Sequence, residues 1–179
     1  MTFSDEEQIK NVLQDTTTDL NKTKEKFTRI LAKAASDAGM VIDETTLTLL
    51  CRTNASIAVV AHEVKGDLDL DDKERNIGFA FVDVPQTGDT TNLPKGFYTL
   101  KVIGKPDSKI KELAFLNKKG HIIKRFPAKI EVINSEDSNN AGKCGFDGSI
   151  DKKQACVSAA CCTDNGVLCI SARACIKWG

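Results

Sequence analysis

The stretch 154–179, QACVSAACCTDNGVLCISARACIKWG, holds five of the chain's seven cysteines. Asn165-Gly166 sits between two apolar-rich runs. Asn-Gly in that setting signals a two-residue hairpin, because a type I′ turn needs positive φ at both central residues. With Asn165 and Gly166 as the turn, Asp164 faces Val167, Cys162 faces Cys169 and Cys156 faces Cys175. The turn is chosen without reference to the cysteines, yet four of them fall into two facing pairs.

The faces agree with this register. One carries Cys156, Ser158, Ala160, Cys162 and Asp164 opposite Cys175, Arg173, Ser171, Cys169 and Val167, and is polar apart from its cysteines. The other carries Val157, Ala159, Cys161 and Thr163 with Leu168, Ile170, Ala172, Ala174, Ile176 and Trp178, and is mainly apolar. This is the pattern of a hairpin buried on one side. A slip of one residue would drive Ser158, Arg173 and Lys177 into the core.

Facing residues of an antiparallel pair have Cα atoms roughly 4.5–5.5 Å apart, within the roughly 4.4–6.8 Å that disulfides span. Four-cysteine metal binding is harder. Cys156 and Cys162 lie six residues apart on one strand, roughly 20 Å at about 3.3 Å per residue, whereas zinc needs each sulfur within about 2.3 Å. The hairpin reading therefore pairs Cys156 with Cys175 and Cys162 with Cys169, leaving Cys144 for Cys161. The order of Cys144, Cys156, Cys161, Cys162, Cys169 and Cys175 is also similar to that of cystine-knot mini-proteins. That resemblance implies Cys144–Cys162, Cys156–Cys169 and Cys161–Cys175 instead, one of the 15 connectivities open to six cysteines. Cys51, outside the tail, reads as a buried thiol packing as a small hydrophobe.

Working back from the tail, residues 135–150 are rich in Ser, Asn, Asp and Gly and read as a linker to the hairpin of 151–179. Before it, TLTLLC, SIAVVAHEV, IGFAFVDV, GFYTLKVI, IKELAFLN, HIIKRF and KIEVIN each suit a short strand. In GFYTLKVI, Tyr98, Leu100 and Val102 point inward. NKKG (117–120) reads as a turn with Gly120 at positive φ. Seven closely spaced strands without intervening helices predict an antiparallel β-sandwich over 46–134, Ig-like or barrel-like.

Residues 1–40 read as an amphipathic helix in one or two pieces. Ser4 and Glu7 form a capping box, Ile9, Leu13, Leu20, Phe27, Leu31 and Ala34 form one stripe, and Gly39 stops the helix. Leucine or phenylalanine at 13, 20 and 27 also suits a docking or self-associating helix, although three heptad positions do not make a coiled coil.

At 179 residues the chain fits one domain of ordinary size with appendages. Its 25 basic residues balance its 25 acidic ones, so the total gives no field for nucleic acid or anionic lipid. The longest apolar run, SIAVVA, is far below the roughly 20 residues of a membrane span. The acidic start, MTFSDEEQIKNVL, lacks the pattern of a secretory signal. That suggests a cytoplasmic protein, while the Cys-rich tail suggests an oxidising or extracellular one.

The only histidines, His62 and His121, show no catalytic spacing, and a Cys51–His62 nucleophile pair has no support in the pattern. No nucleophile elbow, H-E-x-x-H, Walker loop or dinucleotide fingerprint is present. Asp67, Asp69 and Asp71 alternate as weak calcium candidates. An EF-hand loop starting at Asp67 would need glycine where Asp72 stands and glutamate where Gly78 stands. The expectation is a protein that is not an enzyme and needs no cofactor. It would be a structural or protein-binding β-domain, with a protein partner or self-association, no nucleic acid and no membrane span. The alternative is a precursor whose mildly cationic Cys-rich segment is released or modified as an antimicrobial or toxin-like peptide.

Overall fold

The computed structural model describes residues 20–63, 74–86, 93–104, 111–132, 144–162 and 168–178. Among these residues a helix, α1 (Leu20–Asp37), precedes nine strands. These are β1 (Ile42–Arg52), β2 (Ala55–His62), β3 (Glu74–Asp83), β4 (Gly96–Gly104), β5 (Lys111–Leu116), β6 (Ile122–Val132), β7 (Cys144–Ile150), β8 (Gln154–Cys162) and β9 (Leu168–Lys177). The capping box at Ser4 and Glu7 and the first part of the helical stripe lie outside the described residues.

In α1, Phe27, Leu31, Ala34 and Ala35 are buried while Lys26, Arg29 and Lys33 are exposed, the spacing of one helical face. Gly39 ends the element at φ 80°. Met40 N donates to Ala35 O and Gly39 N to Ser36 O, both at 2.9 Å. Such paired bonds occupy carbonyls that a helix end leaves open, and the left-handed residue they need is cheapest as glycine.

All nine strands belong to one antiparallel sheet in the order β1-β2-β3-β4-β5-β6-β9-β8-β7. The sheet curls until its edge strands lie together. Thr48 Oγ1 donates to Phe146 O at 3.2 Å across the β1–β7 seam. The architecture is thus the barrel-like form of the expected fold, nearly closed. The β1–β2 register jumps between Asp43 and Thr48, a bulge of the kind that bends a strand. Within it Thr46 Oγ1 accepts from Ala61 N at 2.8 Å, doing the work of a ladder carbonyl.

Two expectations change. HIIKRF and KIEVIN form one strand, β6, running through Pro127. The strand exchanges neighbours there: it pairs with β5 as far as Ala128 and with β9 from Ala128 onward. A residue without an N–H costs least at such a break in the ladder. The segment 135–150, read as a linker, contributes β7 over Cys144–Ile150. Its glycines and aspartate mimic loop composition, but one of those glycines is required by packing. A Cβ on Gly148 would lie 2.9 Å from both Cys156 O and Leu50 Cδ1.

The interior is filled by one face of every strand. Ile57, Val59, Val82, Leu100, Leu113 and Phe126 meet Val157, Ile170, Ile176 and Trp178 from the tail. The tail is therefore a wall of the barrel and not an attachment to it. Tyr98, Leu100 and Val102 point inward as expected, and Gly120 holds φ 79° in its turn. A second cluster lies outside the sheet, where α1 covers Ala58, Val60, Phe79, Phe81 and Phe97. These strands are buried on both faces, which explains continuous runs such as SIAVVA and GFAFV.

Candidate functional site

The register of β8 against β9 sets Cys156 opposite Cys175, Ser158 opposite Arg173, Ala160 opposite Ser171 and Cys162 opposite Cys169. On the far side of β8, Cys144 faces Cys161, Gly145 faces Ala160 and Asp147 faces Ser158. Sulfurs join Cys144–Cys161 at 2.01 Å, Cys156–Cys175 at 2.18 Å and Cys162–Cys169 at 1.99 Å. The structure holds these facing-pair bridges and none of the knot pairs. Asn165 and Gly166, from which the sequence predicts this register, lie outside the described residues.

Strand alternation sorts the bridges by face. Cys144 and Cys161 belong to the barrel core. The other two sit on the outer face, toward either end of the β8–β9 pair. Between them the side chains are small or short, apart from Arg173. Gly145, Ala160 and Ser171 form one row that ends at Lys129 of β6, and Asp147, Ser158 and Arg173 form the next. The result is a shallow groove of about 880 Å³ across four strands, with backbone accessible along its floor. Cross-links at both ends hold its width. Opposite charges, Asp147 and Arg173, flank the Ser158 hydroxyl, so the surface offers donors, acceptors and apolar patches within a few residues.

Gly145, Asp147 and Lys129 were not singled out from the sequence. The signal was present in CGFDGSI, where Cys144, Phe146 and Ile150 alternate with Gly145, Asp147 and Ser149. Its loop-like composition concealed the period.

The remaining candidates are scattered. His62 ends β2, with Nδ1 2.8 Å from Val41 O. His121 is exposed beyond the β5–β6 turn, its backbone N donating to Asn117 Oδ1 at 3.0 Å. Cys51 is exposed and unbridged, which corrects the expectation of a buried thiol. Alternation in β1 turns Leu50 inward and Cys51 outward, near the hairpin tip opposite Ser56. Although exposed by surface area, its sulfur is crowded enough that partial desolvation outweighs the Ser56 hydrogen bond and pushes the thiol up from its ordinary value. Ser56, opposite Cys51, is six residues along β2 from His62, roughly 20 Å, so the fold does not bring Cys51 and His62 together. Asp67, Asp69 and Asp71 lie outside the described residues. Among the described residues no group of three or more His, Cys, Asp or Glu side chains is placed to hold a metal ion, and no helix is long and apolar enough to cross a membrane.

At the β7–β8 turn, Asp151 Oδ1 accepts from Lys153 N at 2.7 Å and Gln154 N at 2.8 Å. These bonds, with help from the nearby Arg52 charge, hold its carboxyl below the usual aspartate range. Trp178 closes the same end, its Nε1 donating to Lys152 O and its backbone N to Lys153 O, both at 2.8 Å.

No protein-family model, curated protein or solved structure matches the chain.

Proposed function

We propose that the chain is a non-enzymatic binding module that engages a protein through the outer face of β6, β9, β8 and β7. The observation that carries this reading is the braced groove. Small side chains expose the sheet, and two bridges fix its shape before any partner arrives, which lowers the ordering cost of association. Three disulfides also accord with an oxidising environment.

The precursor reading fits the geometry less well. Residues 154–177 supply β8 and β9, whose apolar face fills the barrel. Releasing them would open the sheet and expose its core. A cut between 145 and 155 would release nothing, because Cys144–Cys161 spans it. Intact-mass analysis of unreduced protein from its native source tests this: a recurrent fragment beginning at or before residue 144 would favour the precursor.

For the binding reading, the measurement is sedimentation equilibrium combined with capture by immobilised protein. Wild type should self-associate or retain a discrete partner, and Ala160→Arg, which fills the groove, should abolish that while His121→Ala preserves it. Neither association nor capture, or capture indifferent to Ala160→Arg, would remove the proposal's support.

A further inference from the structure

A balanced total charge does not require an even distribution. In an all-antiparallel sheet successive turns alternate between the two ends, so the β1–β2, β3–β4, β5–β6 and β7–β8 connections share one end of the barrel. That end carries Arg52, Lys95, Lys118, Lys119, Lys152, Lys153 and Lys177, all exposed. The carboxylates facing them among the described residues are three. Asp151 accepts from two backbone N–H groups and stays ionised near Arg52 and Lys153, Asp83 ends β3, and Asp37 shares a cavity of about 210 Å³ with Lys118, so the seven cations outnumber the carboxylates facing them. Among the described residues none of the seven cations is in a salt bridge, and Lys118 Nζ lies 5.6 Å from the centre of the Phe97 ring. The chain's 25 positive and 25 negative groups are a total and do not describe this end.

We infer that this end docks on an anionic phospholipid surface. The cations come from separate turns around a rim, so they suit a broad sheet of charge better than a single extended strand. Six of the seven are lysines, compact point charges without the planar fork that arginine offers to individual carboxylates or phosphates. Nucleic-acid grooves use exposed aromatic platforms, whereas the exposed large hydrophobic residues described here are Val41 and Ile123. Ile123 lies in the same depression as Lys95, Lys118 and Lys119, where an aliphatic tip can enter the headgroup layer. The docking is peripheral and needs no spanning segment. It is separate from the braced groove on the side wall.

The test uses the full-length, disulfide-intact chain in co-sedimentation with vesicles of phosphatidylcholine alone or with phosphatidylserine. Binding should require phosphatidylserine and weaken about tenfold or more when salt rises from about 50 to about 200 mM, because the Debye length shrinks. A lysine beside an anionic membrane contributes roughly fivefold in affinity. Lys118→Glu/Lys119→Glu and Lys152→Glu/Lys153→Glu should therefore each weaken binding by about 25-fold or more, either pair sufficing if the other fails to fold. Lys26→Glu/Arg29→Glu makes the same change of total charge on the helix-covered side wall, where both residues are exposed, and should alter binding less than about twofold. Equal binding to neutral vesicles would overturn the inference, as would equal losses in the side-wall and end variants. Binding to polyglutamate or to a single-stranded oligonucleotide with none to vesicles would also overturn it, and would assign the ring to an acidic protein or a nucleic acid.

Discussion

The two walls of this barrel are held by different means. On the wall formed by β2–β4, both faces are apolar. Ala58, Val60, Phe79, Phe81 and Phe97 pack under α1, while Ile57, Val59, Ala80 and Val82 fill the interior. Aromatic rings join across that outer layer, with Phe27–Phe81, Phe79–Phe97 and Phe81–Phe97 centroids 6.4, 5.8 and 5.3 Å apart. On the wall formed by β7–β9, only the inner face is apolar. It is built largely from small residues such as Ala155, Ala159, Ala172 and Ala174. Each contributes less buried area than a phenylalanine, at about 25 cal/mol per Å². All three disulfides are on this wall. A wall that keeps its outer face open gives up half of its available burial, and cross-links that restrict the unfolded chain offset the loss.

Removing all the bridges should produce the largest effect. A native disulfide in a small domain typically contributes about 2–5 kcal/mol, and three bridges close this wall. Reduction should lower Tm more than any single substitution. Hydrogen exchange should show amide protection disappearing first from β7–β9 and last from β2–β4. Simultaneous loss in both walls would mean that the barrel opens only as a unit and that the contrast is one of composition alone.

Next come one substitution on the covered wall and one lost bridge on the open wall. Phe81 is fully buried between Phe27 and Phe97, and Phe81→Ala should cost about 3–5 kcal/mol in urea unfolding. Replacing Cys156 and Cys175 by alanine opens a loop with a sequence separation of 19 and should cost about 3 kcal/mol. The same change at Cys162 and Cys169, separated by 7, should cost about 2 kcal/mol. A smaller loss for the longer loop would show that native packing, not loop closure, sets the contribution.

The walls differed in legibility for the same physical reason. The open wall shows its period in the sequence, because one face is wet. VSAACC and ISARAC alternate, and taking Asn165-Gly166 as the turn sets Cys156 opposite Cys175 and Cys162 opposite Cys169, as the bridges are found. The covered wall reads as uninterrupted apolar runs that identify strands but not the element above them. α1 could be read as a helix from Phe27, Leu31 and Ala34, while its seat on Phe81 and Phe97 is a tertiary fact with no local signature. β7 was hidden by composition, and Cys51 by the general tendency of cysteine to be buried. Net charge was the least informative quantity of all, since a total over the whole chain says nothing of the seven cations that the topology gathers at one end.

The walls meet across the interior at Gly78. A Cβ there would lie 2.6 Å from Val60 O and 2.7 Å from Phe146 Cζ, so a ring from the open wall rests directly on the backbone of the covered one. Gly78→Ala should cost about 1–3 kcal/mol through overpacking. Phe146→Ala should not rescue it, because the nearest atom is a backbone carbonyl. Full rescue would show that the clash is borne by the ring and that the β2–β3 ladder can yield.

The smallest effect belongs to the turn that ties the open wall to the charged end. Asp151 has a folded pKa below its unfolded one, chiefly because Lys153 N and Gln154 N bond the ionised carboxylate. A depressed carboxylate stabilises the fold fully above its unfolded value of about 3.9 and loses that contribution as pH falls through the folded value. Asp151→Ala should therefore melt below wild type at pH 7, and the gap should narrow toward pH 2. Asp151→Asn keeps an acceptor oxygen without the charge and should fall between the two at pH 7. A gap that persists unchanged at low pH would mean that the side chain acts through turn geometry alone, with its ionisation contributing nothing to how this end of the open wall is held.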